Sequence, residues 1–397
     1  MEPPISTQLS QDRQDHMKRI SISGAAAILF AVAATPAFAQ SSVTLYGLVD
    51  TAIRYQTNAG PDGKDLVGMT VGPETNSRWG LRGTEDLGGG LSAIFRLENG
   101  FLLYNGKFGS PNTLFSRQAY VGLSSDKYGS LTFGNQYSPL YDTMGDVFDP
   151  LEVGDYWQDS WMWNGMGPYL TVPNSVKYKL TVSGLSINAI YGFGNQPGSV
   201  GLDSTYGVEV SYEHGPATLN TGFQQTSVSS ARGSIANGAK INMVHVSGAY
   251  QITPSVRLLA GWLHAQDQTG TTDGNMQQSG APKLSGSSPN RIDDTLYLGG
   301  NWQATNPLLI TVAAYYGHTR NAELLDGRLG SGINYSATVL AEYSLSKHTE
   351  VYGTVDFARG NGAFAADYPG VTNAAGQVDK LGRTNNVGAA IGLRQIF

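Results

Sequence analysis

The sequence contains no cysteine, so neither disulfide bonds nor thiolate metal ligands can stabilise the fold. Charged residues make up only 14% of the chain, and after Ala39 no apolar run approaches the roughly 20 residues that a membrane-spanning helix needs. The formal net charge of −6 disfavours a nucleic-acid-binding protein, because such domains are clearly basic. Stability must therefore come from packing and backbone pairing.

The one apolar run of note lies near the start of the chain. Residues 17–19 are Met-Lys-Arg, residues 20–34 are small or apolar without a charge, and residues 37–39 are Ala-Phe-Ala. A short cationic stretch, an apolar core and a small-x-small cleavage site are the three parts of a secretory signal peptide. We therefore expect residues 17–39 to be a signal peptide that is cleaved before Gln40.

Two segments flank this signal peptide. Residues 1–16 are polar and proline-containing, unlike the start of a signal peptide, so they are extra N-terminal residues if Met17 is the true start. Residues 40–397 form the mature domain, in which the net charge is still −6 because residues 1–39 carry three basic and three acidic residues.

The mature chain alternates apolar with polar or small residues in blocks of about ten, a pattern that predicts β-strands. In the first block Val43, Leu45, Val49 and Ile53 share one face, and Thr44, Asp50 and Arg54 share the other. In the block 91–98 the outer set is Leu91, Ala93, Phe95 and Leu97, with Ser92, Arg96 and Glu98 opposite. In a membrane barrel the apolar face contacts lipid and the polar face lines a lumen.

The connections between the blocks alternate in length, which favours a membrane barrel over a soluble sandwich. Six short turns are predicted at 86–90, 125–129, 213–216, 253–255, 305–307 and 345–348. Long polar segments are predicted at 56–75, 99–112, 138–173, 194–205, 226–240, 265–291, 318–333 and 359–384. Counting the blocks gives an all-β, sixteen-stranded antiparallel transmembrane barrel, whose even strand number lets both ends of the sheet meet at one rim.

Several sequence motifs resemble the general porins of Gram-negative bacteria, and most of all their β-proteobacterial branch. The motifs are SVTLYGLVD (42–50), SRWGLRGTEDLGGGL (77–91), FRLENG (95–100), SRQAYVGL (116–123), GSLTFG (129–134), NSVKY (174–178) and the terminal Phe397. The resemblance extends over essentially the whole mature chain and is strongest before residue 195. It implies a homotrimeric outer-membrane channel without a cofactor, in contact with lipid and lipopolysaccharide. It also implies insertion by the barrel-assembly machinery, for which Phe397 would be the assembly signal.

The resemblance further implies that the third extracellular loop, residues 138–173, folds inward and narrows the pore. Its acids would face a cluster of bases on the opposite wall. Asp149 and Glu152 match the loop acids of the family best, and Asp142 and Asp155 are weaker matches. Trp157, Trp161 and Trp163 lie in the same loop and leave two interpretations open, an aromatic track for sugars or simple anchoring of the loop.

The wall bases come from two sources. The resemblance assigns Arg78, Arg117 and Lys177 to the wall, and alternation adds the lumen-facing bases Arg82, Arg96 and Lys179. A basic side chain facing lipid at the bilayer midplane costs about 2–4 kcal/mol, which excludes that face for six bases. Arg117 fits less well, because Gln118 and Tyr120 would then face outward.

Other functions have little support in the sequence. An enzyme would need a nucleophile with partners, and neither a G-x-S-x-G nor an H-E-x-x-H motif is present. The histidines are scattered without metal-ligand spacing. We expect a water-filled channel for passive diffusion of small hydrophilic solutes and ions, with a weak anion preference set by the wall bases. The alternative is a substrate-specific channel for a sugar or an anionic nutrient.

Overall fold

The computed structural model describes residues 42–59, 63–71, 74–152, 170–228, 238–276, 290–324, 328–363 and 385–397. The predicted extra residues 1–16, the predicted signal peptide 17–39 and the residues Asp155, Trp157, Trp161 and Trp163 lie outside them. Within these ranges the structure has two helices, α1 (Tyr141–Phe148), which is wound in the wider π form, and α2 (Thr271–Met276). Neither of these described helices has the length or apolar character needed to cross a membrane.

The strands account for most of the described chain. They are β1 (Ser42–Gln56), β2 (Leu66–Val71), β3 (Arg78–Gly88), β4 (Leu91–Leu102), β5 (Lys107–Phe108), β6 (Gln118–Ser125), β7 (Gly129–Tyr137), β8 (Thr171–Val182), β9 (Leu185–Gly192), β10 (Thr205–His214), β11 (Ala217–Val228), β12 (Ala239–Thr253), β13 (Val256–Asp267), β14 (Arg291–Thr305), β15 (Leu308–Glu323), β16 (Leu329–Ser344), β17 (Thr349–Gly360) and β18 (Asn385–Ile396).

These strands form one closed antiparallel barrel. β1 pairs with β18 along Leu48–Gln56, which joins the two ends of the sheet. On its other side β1 pairs with β2 through residues 51–56 and with β3 through residues 42–48, so β2 and β3 together make one interrupted barrel strand. The two-residue β5 pairs with Phe101 and Leu102 at the end of β4 and adds no strand to the barrel. The barrel therefore has sixteen strands, and the predicted fold class is confirmed.

Side chains alternate between the two faces of the barrel as predicted. In β1, Val43, Leu45 and Ile53 are 59–65% exposed on the outer face, whereas Asp50 and Arg54 are buried on the face that lines the lumen. Arg54 forms a bidentate ion pair with Asp356 of β17, with both distances at 2.7 Å. Charges are thus tolerated inside because they are paired there, and the apolar side chains point outward.

The connections differ in part from the predicted ones. All six predicted short turns are present, and a seventh joins β8 to β9 at Ser183 and Gly184, which both have positive φ angles of 48° and 81°. The predicted loop 318–333 is mostly strand, because β15 continues to Glu323 and β16 begins at Leu329. A bulge after Thr319 keeps these polar ends paired, which is why alternation of hydrophobicity failed to detect them.

Three lumen-facing tyrosines share one arrangement. Each lies directly opposite a glycine of the next strand, its ring crosses that glycine, and its hydroxyl donates a hydrogen bond to a residue two strands away. The missing Cβ makes room for the ring. The sets of tyrosine, glycine and acceptor are Tyr46, Gly80 and Glu98; Tyr352, Gly392 and Asp50; and Tyr297, Gly261 and Ser247.

Candidate functional site: charged side chains on the lumen wall

A single carboxylate, that of Glu98, lies among the arginines of β3, of β4 and of the residue before β6. Glu98 of β4 is fully buried and accepts hydrogen bonds from Arg96 Nη2 at 2.7 Å and from Arg117 Nε at 3.0 Å. It also accepts hydrogen bonds from the hydroxyls of Tyr46 and Tyr137, at 2.8 and 3.2 Å. Glu98 thus compensates part of the positive charge of the wall. Alternation along β4 predicts the inner face for Glu98 but gives no indication of this role.

The bases of this cluster occupy neighbouring register positions. Arg82 of β3 lies directly opposite Arg96 of β4, and Arg78 lies two residues from Gly80, the partner of Glu98. The charge of Arg78 also acts on the Glu98 carboxylate. The structure therefore brings together the wall bases that the resemblance and the alternation had indicated separately, namely Arg78, Arg82, Arg96 and Arg117.

The predicted difficulty with Arg117 is resolved by where β6 begins. Arg117 precedes the first residue of that strand, so the inward and outward alternation of strand residues does not fix the direction of its side chain. It binds Glu98, and its guanidinium carbon lies 5.5 Å from the centroid of the Tyr137 ring. Gln118 is buried and Val121 is 59% exposed, which places Gln118 and Tyr120 on the inner face. The expectation that Gln118 and Tyr120 would face outward is wrong.

The two lysines of β8 share one acidic partner. Asp142 of α1 forms ion pairs with Lys177 and with Lys179, the second at 2.6 Å. Lys177 also donates a hydrogen bond to the carbonyl oxygen of Tyr137 at 2.7 Å. These contacts join the segment after β7 to the wall that bears the arginines.

The same segment contacts the far side of the barrel. Leu140 and Met144 are at most 1% exposed and belong to a buried cluster with Met243, Leu263 and Tyr315. Arg257 of β13 donates to the carbonyl of Val147 at 3.1 Å, and Asn301 of β14 donates to that of Pro150 at 3.2 Å. The hydroxyl of Tyr315 donates to Asp149. Residues 140–151 thus contact lumen-facing side chains of β12 to β15 at one end and β8 at the other.

The acids of this segment differ in their electrostatic surroundings. Burial opposes ionisation of Asp142, but the charges of Lys177 and Lys179 outweigh it and lower the pKa of Asp142 to about 2. Burial and the neighbouring charge of Asp142 raise the pKa of Asp146 to about 7. Asp142 is therefore ionised at neutral pH, whereas Asp146 titrates near it.

Three glutamates surround one arginine on another part of the wall. Arg394 of β18 forms ion pairs with Glu74, with Glu342 at 3.9 Å and with Glu350 at 2.6 Å. Oxygens of the three carboxylates lie within 4.8 Å of one another, close enough for a metal ion. Because the guanidinium already supplies a positive charge there, the cluster is satisfied in part without a cation.

A comparison with family models identifies the chain. Residues 24–363 match the model of the family described as Gram-negative porin. The chain belongs to this family. An outer membrane porin protein of Bordetella pertussis is 30% identical over 384 residues, which cover 86% of this chain and 95% of that one. Outer membrane porin protein 32 of Delftia acidovorans is 31% identical over 252 residues, 59% of this chain and 70% of that one.

Solved porin structures share the fold. An anion-selective porin from Comamonas acidovorans superposes with a TM-score of 0.70 at 21% identity, covering 90% of this chain and 100% of that one. An outer membrane protein of Vibrio cholerae in its trimer form gives 0.60 at 15% identity, with 90% and 99% covered. The protein is an integral β-barrel of the outer membrane, and the prediction of a porin for passive diffusion is confirmed.

Proposed function

We propose that residues 138–173 fold into this porin's lumen and form an eyelet with a weak preference for anions. The observation that carries this proposal is the set of contacts of residues 140–151, which reach the bases of β8 on one side and Tyr315 on the other. A segment of this length outside the sheet is unusual in a compact barrel unless it has a function.

The charge balance beside that segment supports the anion preference. The wall carries the six bases Arg78, Arg82, Arg96, Arg117, Lys177 and Lys179. Four of them, Arg96, Arg117, Lys177 and Lys179, share the two carboxylates Glu98 and Asp142 as ion-pair partners. Among these paired groups positive charge exceeds negative charge. Fixed charges act on ions within about 8 Å at physiological salt. The glutamates around Arg394 oppose the effect, and this keeps the preference weak.

Further parts of the proposal concern the assembled protein. Residues 17–39 direct export, the mature chain forms a homotrimer, and Phe397 serves as the assembly signal. The trimer form of the Vibrio protein and the anion selectivity of the Comamonas protein are properties of proteins with this fold, and they support the same properties here. Lipopolysaccharide and the barrel-assembly machinery are the remaining proposed partners. The family and fold are those of channel proteins, and we propose no catalytic activity.

Planar-bilayer recording of the purified protein in a salt gradient tests the eyelet and its charge. We expect the conductance to rise in steps as single channels insert. We also expect a small zero-current potential whose sign shows that anions cross more readily than cations. A variant lacking residues 149–165 should admit larger sugars into liposomes. If its exclusion limit equals that of the wild type, the constriction lies elsewhere.

Liposome swelling with graded sugars separates the general porin from the substrate-specific alternative. A general porin gives flux that falls smoothly with solute size. Saturable and stereoselective flux would identify a specific channel for a sugar or an anionic nutrient instead.

A further inference from the structure

Tyr46 connects the wall arginines across two strands. It lies on β1 opposite Gly80 of β3, and Gly80 lies opposite Glu98 of β4. A Cβ at position 80 would come within 2.7 Å of the tyrosine hydroxyl oxygen, so this glycine is what lets the ring cross β3. The hydroxyl donates to Glu98 Oε2 at 2.8 Å and accepts from Arg96 Nε at 2.6 Å.

The ring of Tyr46 also contacts two like charges. The guanidinium carbons of Arg82 and Arg96 lie 5.4 and 5.1 Å from its centroid. These arginines are direct cross-strand partners, and like charges in that position destabilise a sheet. An aromatic face attracts guanidinium groups, most strongly where water is excluded, and Tyr46 is only 6% exposed.

We propose that Tyr46 is a positioning residue that determines selectivity, because it holds Arg82 and Arg96 against their mutual repulsion at fixed places on the lumen wall. The proposal rests on the proposed function in one respect, that charges on this wall act on permeating ions. The ring of Tyr46 attracts both guanidinium groups, and the hydroxyl of Tyr46 fixes the orientation of Arg96. Without the ring, Glu98 still binds Arg96, but the attraction that offsets the repulsion between Arg82 and Arg96 is lost, and their charges shift relative to a passing ion.

Two substitutions separate the ring from the hydroxyl. Tyr46→Phe keeps the aromatic face and loses both hydrogen bonds, whereas Tyr46→Leu loses the face as well. In a KCl gradient we expect the ratio of chloride to potassium permeability to fall slightly in the first variant and about twofold or more in the second, because the second loses the ring contact of both guanidinium groups as well as the hydroxyl contact of Arg96. Folding is checked by heat-modifiable mobility in electrophoresis.

Tyr352 provides a matched control. It crosses Gly392 and donates to Asp50 Oδ1 at 2.6 Å, the same arrangement with another acid, and within the described part of the chain no arginine lies over its ring. Tyr352→Leu should change stability as Tyr46→Leu does, but it removes no contact of an arginine with the ring, so it should shift the permeability ratio less than Tyr46→Leu does.

The outcomes are distinct from those of the proposed function. The sign of the wild-type zero-current potential tests anion preference, whereas the shift between wild type and Tyr46→Leu tests the role of Tyr46 whatever that sign is. An unchanged ratio in a folded Tyr46→Leu barrel, or a shift equal to that of Tyr352→Leu, overturns the proposal.

A double-mutant cycle gives a test that does not need the leucine variant to fold. Tyr46→Phe should shift the zero-current potential in the wild-type background and shift it less in an Arg96→Gln background, because Arg96 Nε is one of the two groups that the hydroxyl contacts. Equal shifts in both backgrounds overturn the proposed coupling between Tyr46 and Arg96.

Discussion

Asp142 and Lys177 form an ion pair 35 positions apart in the chain, with side chains only 14% and 4% exposed. Lys179 shares the same carboxylate. Asp142→Asn leaves both lysines without this partner, so we expect the zero-current potential in a KCl gradient to move toward stronger anion preference. Asp126→Asn, in an exposed short turn, is the control and should leave the potential unchanged. A shift toward cations in Asp142→Asn would contradict the assignment of these lysines to the lumen.

The selectivity should also depend on pH through Asp146. Its pKa is raised to about 7 by burial and by the charge of Asp142, and the charges of Arg78 and Arg117 act on it. Asp146 is thus mostly neutral at pH 5 and ionised at pH 8.5, where its negative charge offsets those arginines. We expect a stronger anion preference at pH 5 than at pH 8.5. In Asp146→Asn the preference at pH 8.5 should rise toward its value at pH 5, and an unaltered pH dependence in that variant would rule out this explanation.

The same pKa values predict opposite effects on stability. A carboxyl whose pKa is raised in the folded state, such as Asp146, destabilises the fold as pH rises from about 4, its unfolded value, through about 7. Asp142, with its pKa lowered to about 2, stabilises the fold above about pH 4, and this contribution is lost as pH falls to about 2. In thermal unfolding in detergent, Asp146→Asn should gain most at pH 8, and Asp142→Asn should lose most there. Equal changes at pH 3 and pH 8 would exclude linkage to these groups.

Alternation predicted the architecture well because a membrane barrel forces every strand to have one apolar and one polar face. Val43 and Asp50 needed no tertiary information to be assigned. The lengths of the strands beyond the apolar band were not predictable in this way, as β15 and β16 show, because backbone pairing continues there without a hydrophobic pattern.

The partners of the charged residues were harder to predict. Alternation predicts that Arg96 and Glu98 lie on the same face of β4. It does not predict that Glu98 also binds Arg117, because Arg117 lies before the strand in which alternation applies. Asp142 is assigned to Lys177 and Lys179 only by the path of the chain through α1. Tyr46 gave no signal by itself, since its role depends on the register that places Gly80 between it and Glu98.

Closure of the barrel predicts an effect of the last residue. Phe397 exchanges two backbone hydrogen bonds of 2.9 Å with Gly47, and a Cβ at position 47 would come within 2.6 Å of its ring. Deleting Phe397 should reduce the yield of folded barrel in the outer membrane, because the join between β18 and β1 loses its final pair. Phe397→Tyr keeps the ring and the backbone pair and should assemble normally. Undiminished heat-modifiable protein after the deletion would show that this contact is dispensable.

The last prediction concerns Arg78, Arg117 and Lys177 together. Converting all three to glutamine removes three positive charges, and it also leaves Glu98 and Asp142 with fewer cationic partners. Since the loss of three bases makes the lumen more negative, the zero-current potential should move toward cations by more than it does in Lys127→Gln/Lys347→Gln, a control with two exposed turn lysines. Losing the partner of a buried carboxylate costs about 3–5 kcal/mol, so folding must be verified first. An unchanged potential in an intact barrel would mean that these residues do not line the channel.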